Sequence, residues 1–154
     1  NCKDNLPCIL ECNDKKSCYN STMNCPENEH CNIYCENDYS CGYSTIICPE
    51  NSICDIKCTD TETCRGANIT CQNNSTCIIE CGGIDSQEAE RACEDMKINA
   101  TNAKTVTLTC KDGNHCDKID VYCPYHNDTS FVNCFVETQG TNNHGLQRMS
   151  IKRR

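Results

Sequence analysis

Cysteine is the residue of this chain whose number and spacing could do concerted chemistry: 20 of its 154 residues are Cys. Two chemistries need so many. Thiolates gather soft metal ions, and zinc sites commonly bring in Cys pairs spaced by about two to four residues. The closest spacing here leaves three residues between, as in Cys54 and Cys58. The other chemistry is the disulfide. The Cys content lies above the roughly 8–10% that marks a disulfide scaffold in a short secreted chain. Disulfides persist in secreted, luminal or cell-surface compartments. The cysteines are therefore expected to be structural, with no metal ligand and no cofactor among them.

Their spacing is periodic. Cys48, Cys54, Cys58 and Cys64 are separated by 6, 4 and 6, with 7 more to Cys71. Cys25, Cys31, Cys35 and Cys41 repeat the pattern, as do Cys2, Cys8, Cys12 and Cys18, so the unit is 23 residues. A fixed period of roughly 20–50 residues signals a stacked repeat. The fourth copy is Cys71, Cys77, Cys81 and Cys93, with a last gap of 12. In the fifth, Ala100 and Val106 stand at the first two cysteine positions, before Cys110 and Cys116. The sixth is Cys123 and, after five extra residues, Cys134; Thr138 and His144 take its remaining positions, and Ile151 opens the next. The extra residues read as surface loops at 82–92 and 124–133 of a single domain spanning 1–154.

Two apolar columns keep this register where the cysteines are lost. One is Leu10, Ile33, Ile56, Ile79, Leu108 and Val136; the other is Met23, Ile46, Ile69, Ile98, Val121 and Met149. Alternate residues of a strand share a face, so each copy carries a strand like CDIKC and another near ANITC. Like residues stack at about 4.8 Å between coils. The expected fold is all-β: a disulfide-laddered parallel β-solenoid of six coils of about 23 residues, with a thin interior of Ile, Val and cystine. Right-handed coiling is the expectation for parallel crossovers.

Paired losses constrain the bridges. The fifth copy loses its first and second cysteines together, and the sixth its third and fourth. Joining first to second and third to fourth leaves no orphan; joining second to third strands Cys110 and Cys134. Pairing down a column leaves one of five unpaired. The expected bridges are Cys2–Cys8, Cys12–Cys18, Cys25–Cys31, Cys35–Cys41, Cys48–Cys54, Cys58–Cys64, Cys71–Cys77, Cys81–Cys93, Cys110–Cys116 and Cys123–Cys134.

Other chemistry is sparse. The outward column Glu11, Tyr34, Lys57, Glu80, Thr109 and Glu137 mixes charges without an acid pair in neighbouring coils. His30, His115, His126 and His144 occupy unrelated coil positions. No catalytic residue is expected, and the chain reads as no enzyme. A net charge of −8 argues against nucleic acid as the main partner. No apolar run approaches the 18 or so residues of a membrane span. The chain starts at Asn1 without a leader, so secretion would imply a signal peptide already removed. Sequons for N-glycosylation stand at Asn20, Asn68, Asn73, Asn74, Asn99 and Asn127.

The five-residue cysteine loop resembles that of insect antifreeze β-solenoids. Those have a 12-residue coil and a flat Thr-x-Thr column, whereas outward pairs here, such as Thr22 with Asn24 and Asn68 with Thr70, do not stack as Thr. The repeat as a whole looks like the cysteine-rich right-handed β-helix repeats of extracellular proteins of unicellular eukaryotes. That resemblance implies fold and compartment, and no activity.

The two ends suggest a function. Neither carries a capping segment, and a solenoid's open coil is an unpaired edge. The tail 148–154 contributes Arg148, Met149, Ile151, Lys152, Arg153 and Arg154, opposite in charge to Asp4, Glu11 and Asp14 around Leu10 in the first coil. The expectation is a subunit of an extracellular glycoprotein filament, whose partners are further copies of itself, stacked head to tail, and covalent N-glycans. The alternatives are a secreted or cell-surface adhesion module with a carbohydrate or protein ligand, or one segment of a longer solenoid.

Overall fold

The computed structural model describes residues 6–83, 91–111, 116–123, 133–139 and 150–153. Twelve strands and no helix occur among them. Odd-numbered strands form one sheet: β1 (Cys8–Cys12), β3 (Cys31–Cys35), β5 (Ile53–Cys58), β7 (Thr76–Cys81), β9 (Thr105–Lys111) and β11 (Asn133–Gln139). The even-numbered strands form the other: β2 (Thr22–Asn24), β4 (Thr45–Ile47), β6 (Asn68–Thr70), β8 (Lys97–Asn99), β10 (Asp120–Cys123) and β12 (Ser150–Arg153). Every strand pair is parallel and joins equivalent segments of neighbouring coils. The chain is a disulfide-rich parallel β-solenoid.

Alternation decides which residues enter the core. In β5 the side chains of Cys54, Ile56 and Cys58 are buried, while Asp55 and Lys57 point outward. In β6 only Ile69 is buried, between Asn68 and Thr70. Leu10, Ile33, Ile56, Ile79, Leu108 and Val136 face one another strand by strand. Val106 takes the place of Cys77 in the fifth coil, and Thr138 that of Cys110 in the sixth.

The second column differs from expectation in its last member. Val121 pairs with Ile151 and Cys123 with Arg153. Ile151, not Met149, therefore closes the column Met23, Ile46, Ile69, Ile98 and Val121, and Arg153, not Ile151, stands at the next first-cysteine position. The shift is two residues. Because a strand repeats every two residues, Met149 and Ile151 satisfy the same alternation, and the pattern alone cannot choose between them. Met149 and His144 lie outside the described residues.

The bridges close the corners. The structure joins Cys12–Cys18, Cys25–Cys31, Cys35–Cys41, Cys48–Cys54, Cys58–Cys64, Cys71–Cys77, Cys81–Cys93, Cys110–Cys116 and Cys123–Cys134. Cys8 is also bridged, but Cys2 lies outside the described residues. The bridges at separations 12 and 11 span 5.9 and 6.2 Å between Cα atoms, the same as six-residue bridges such as Cys35–Cys41 at 5.9 Å. The cysteines flanking both insertions thus stand as close as those of an uninterrupted corner; 84–90 and 124–132 lie outside the described residues.

The corner between an odd strand and the next even strand is a chain of tight turns. In the third coil Thr63 N–H donates to Asp60 O (3.3 Å), Arg65 N–H to Glu62 O (3.3 Å) and Ala67 N–H to Cys64 O (3.0 Å). The third residue of each turn, Glu62, Cys64 and Gly66, has φ of 53°, 53° and 65°, as a type II turn requires. Bonds to neighbouring coils hold this backbone: Cys64 N–H donates to Ser40 O at 3.0 Å, and Tyr43 N–H to Arg65 O at 2.8 Å. The opposite corner carries stacked asparagines at positive φ, with Asn74 Nδ2 donating to Asn51 Oδ1 at 3.2 Å.

The fifth coil tests the register. Ala100 N–H donates to Tyr122 O at 2.8 Å, as Cys71 N–H does to Asn99 O, and Ala100 and Val106 are both buried. Ala100→Cys with Val106→Cys should form a further bridge without changing the fold. Such a loop stabilises by about 2 kcal/mol, or roughly 4–8 °C at this chain length. Intact mass of the unreduced variant and its thermal melt check this; two free thiols, or a lowered midpoint, would place Ala100 and Val106 out of register.

Candidate assembly edges and surface sites

Sulfur chemistry is closed off, since no described cysteine is free. Three groups, such as Cys35, Cys41 and Cys64, bring their sulfurs within 4.8 Å of one another. They do so because bridges of successive coils stack, and a disulfide sulfur has no thiolate to offer a metal ion.

The outward column Glu11, Tyr34, Lys57, Glu80, Thr109 and Glu137 runs across the odd sheet as expected, one residue per coil. Its groups pair with bases. Lys111 Nζ lies 2.8 Å from Glu80 Oε2, and the Lys57 ammonium 5.9 Å from the Tyr34 ring centre. His30 is exposed; His115, His126 and His144 lie outside the described residues.

The outer face of the even sheet holds a shallow depression of about 300 Å³ lined by Asn68, Thr70, Lys97, Asn99, Thr101 and Tyr122. Two sequon asparagines sit in it. Asn99 Oδ1 accepts from Thr101 Oγ1 at 3.1 Å, within its own sequon. Asn20, Asn68, Asn73, Asn74 and Asn99 are all exposed; Asn127 lies outside the described residues.

Sequence reasoning missed a charge cluster around Glu94, whose side chain is 8% exposed. Lys118 Nζ lies 2.9 Å from one carboxylate oxygen, and Arg65 Nε 3.3 Å and Arg91 Nε 3.7 Å from the other. Arg65 also binds Glu62 at 2.6 Å. These residues come from three coils and meet because their columns are adjacent on one corner. The signal was present at positions 65, 94 and 118 but becomes visible only once the insertion is removed from the count. Burial alone would raise the Glu94 carboxyl; the Lys118 hydrogen bond and the charges of Arg65, Lys118 and Arg91 outweigh it and hold the carboxyl below its usual range.

The two ends of the stack are open among the described residues: β1 and β2 each pair on one side only, as do β11 and β12. Leu10 and Val136, the terminal members of their column, are partly buried. Ile9 and Phe135 are the two ends of a single outward column and are 59% and 50% exposed; Ile151 is 52% exposed. Of the charges expected to oppose one another at the two ends, Lys152, Glu11 and Asp14 lie among the described residues. Lys152 binds Asp120 of the preceding coil at 3.0 Å and lies 5.0 Å from the Tyr122 ring centre. Glu11 and Glu137 stand at opposite ends of one column. Arg148, Met149, Arg154 and Asp4 lie outside the described residues, as does the side chain of Arg153.

No helix among the described residues is long and apolar enough to cross a membrane. No protein-family model, curated protein or solved structure matches the chain.

The Glu94 cluster sets a pH dependence. A carboxyl whose folded pKa is depressed contributes stability above its unfolded pKa of about 4.3, and that stability is lost as pH falls through the folded value. Glu94→Gln leaves three cations facing one another. It should cost about 1–2 kcal/mol at neutral pH, after allowance for the exposure of Arg91 and Lys118. The deficit should shrink in acid, where the native carboxyl is protonated too. Thermal melts of both proteins across that range measure this; an equal deficit at acid and neutral pH would show that the charge of Glu94 is not what matters.

Proposed function

We propose that this chain is a structural subunit of an extracellular glycoprotein filament, assembling head to tail by stacking the open end coils of successive copies. The observation that carries the reading is that both sheets end in parallel edges unpaired among the described residues, with the exposed apolar residues Ile9, Phe135 and Ile151 on those end coils. An unpaired edge is a template for strand addition. A parallel edge adds another parallel strand without change of register, and a contact that does not close on itself propagates as a fibre. Continued register would set Val136 beside Leu10, Phe135 beside Ile9 and Ile151 beside Met23 of the next copy. The bridges fit a secreted or extracellular protein, and the exposed sequon asparagines leave room for glycans along the sides. The reading asks for no catalysis and no cofactor.

The same register sets Glu137 beside Glu11 of the next copy. Apolar contact and backbone bonds must then provide the affinity, and this one pair opposes it. Elongation should therefore quicken as added salt screens this pair. Deleting residues 148–154, which removes β12, should yield folded, disulfide-bonded monomers that no longer elongate. Negative-stain imaging and light scattering check both. A wild-type protein that stays monodisperse contradicts the filament and favours a binding module or a segment of a longer solenoid. Fibres of unchanged pitch from the truncated protein place the junction elsewhere.

A further inference from the structure

We propose that the corner carrying Tyr19, Tyr39 and Tyr43 is a saccharide-binding platform, suited to a β-linked pyranose of gluco configuration. It is a lateral site: Tyr39 and Tyr43 belong to the second coil, behind the stacking edge, and Tyr19 to the first.

The repeat supplies its own controls. Tyr43 occupies the corner position that holds Asn20, Gly66, Asp95 and Lys118 in other coils, all at φ between 52° and 65°. Gly, Asn and Asp visit the left-handed region most readily; a bulky aromatic there is an outlier. Tyr39, at φ 61°, is a second such outlier, at the position of Lys16, Glu62 and Arg91. The turn sets positive φ at both positions whatever residue stands there, so the side chain is free to vary, and one coil uses both positions to hold phenol rings on its corner.

The neighbouring residues make room for the rings. A Cβ on Gly66 would stand 2.7 Å from the Tyr43 ring, and one on Gly42 would stand 3.1 Å from the Tyr19 ring. Each ring therefore lies against a glycine of the next coil. Tyr19 and Tyr43 are 5.7 Å apart at their centres, inclined by 67°, and 42% and 49% exposed. Polar groups surround the third ring, Tyr39, on the same corner. The Tyr39 hydroxyl donates to Glu62 Oε1 at 3.3 Å, Glu62 binds Arg65 at 2.6 Å, and the Lys16 ammonium lies 5.9 Å from the Tyr39 ring centre.

This arrangement fits a sugar. A gluco-configured pyranose directs its hydroxyls outward around the ring edge and presents C–H groups on its faces. The tyrosine rings match those faces, while the Glu62, Arg65 and Lys16 groups match the hydroxyls. A protein partner fits less well. Two half-exposed tyrosines offer on the order of 200 Å², far below the 1,000 Å² or so of a specific protein interface.

The test is saturation-transfer NMR on the full chain, with chitotriose and cellotriose as probes and thermal melts in parallel. Transfer to the C–H protons of at least one probe is expected, with weak affinity, on the order of 1 mM. Tyr43→Asn should weaken binding at least about tenfold without lowering the melting temperature, since Asn20 fills the same position in the first coil. Tyr43→Phe should retain binding, and Tyr19→Ala gives a second, independent loss. Absence of transfer to both trisaccharides overturns the proposal, and so does unchanged binding in both Tyr43→Asn and Tyr19→Ala.

Discussion

The coils of this molecule keep their shape because disulfides close most of their corners over about 6 Å of Cα separation, the corner between Ala100 and Val106 being held without one. The third coil shows why that constraint is needed. It brings Ile56 and Ile69 inward with little other aliphatic bulk, and two side chains bury too little to offset the ordering of 23 residues. Bridges shorten the list of conformations open to the unfolded coil, and their own sulfurs then fill the interior that the coil lacks residues to fill. Stacking supplies the rest. Parallel backbone bonds repeat from coil to coil not only in the sheets but through the corners, where Tyr43 N–H meets Arg65 O and Gly66 N–H meets Glu94 O. A residue at positive φ is tolerated there because its amide is already committed.

Much of this was legible in the sequence, because a cysteine count and a strand alternation are both counted in residues. Ala100 and Val106 could be assigned to cysteine positions from spacing alone, and Val106 does pair with Cys77. The paired losses in the fifth and sixth coils named the bridges for the same reason. The last coil was misplaced by two residues because Met149 and Ile151 satisfy one alternation equally, and no cysteine follows Cys134 to fix the count. The Glu94 cluster escaped because its members are up to 53 positions apart in the chain, from Arg65 to Lys118, and their adjacency depends on how an insertion is absorbed. Backbone conformation was hidden altogether. Nothing in the spacing of Tyr39 and Tyr43 says that both stand in the left-handed region.

Separate surfaces thus answer to separate constraints. The edges of the stack are dictated by backbone geometry, and the apolar residues on them stand at the ends of strand columns, an interior one for Ile151 and an outward one for Ile9 and Phe135. The corners are free of that demand, and it is there that the coils differ most: tyrosines in the first two, an ion-pair cluster in the next three. A solenoid varies its function most cheaply at such corners, since one position can change without altering the strands beside it.

The claim on which all of this rests is that each bridge closes a corner within its own coil. Peptide mapping of the unreduced protein tests it most directly. The account predicts Cys48 linked to Cys54 and Cys58 linked to Cys64, with Cys110 and Cys134 bridged to Cys116 and Cys123. Recovery of Cys54 joined to Cys58, or of free thiols at Cys110 and Cys134, would contradict it.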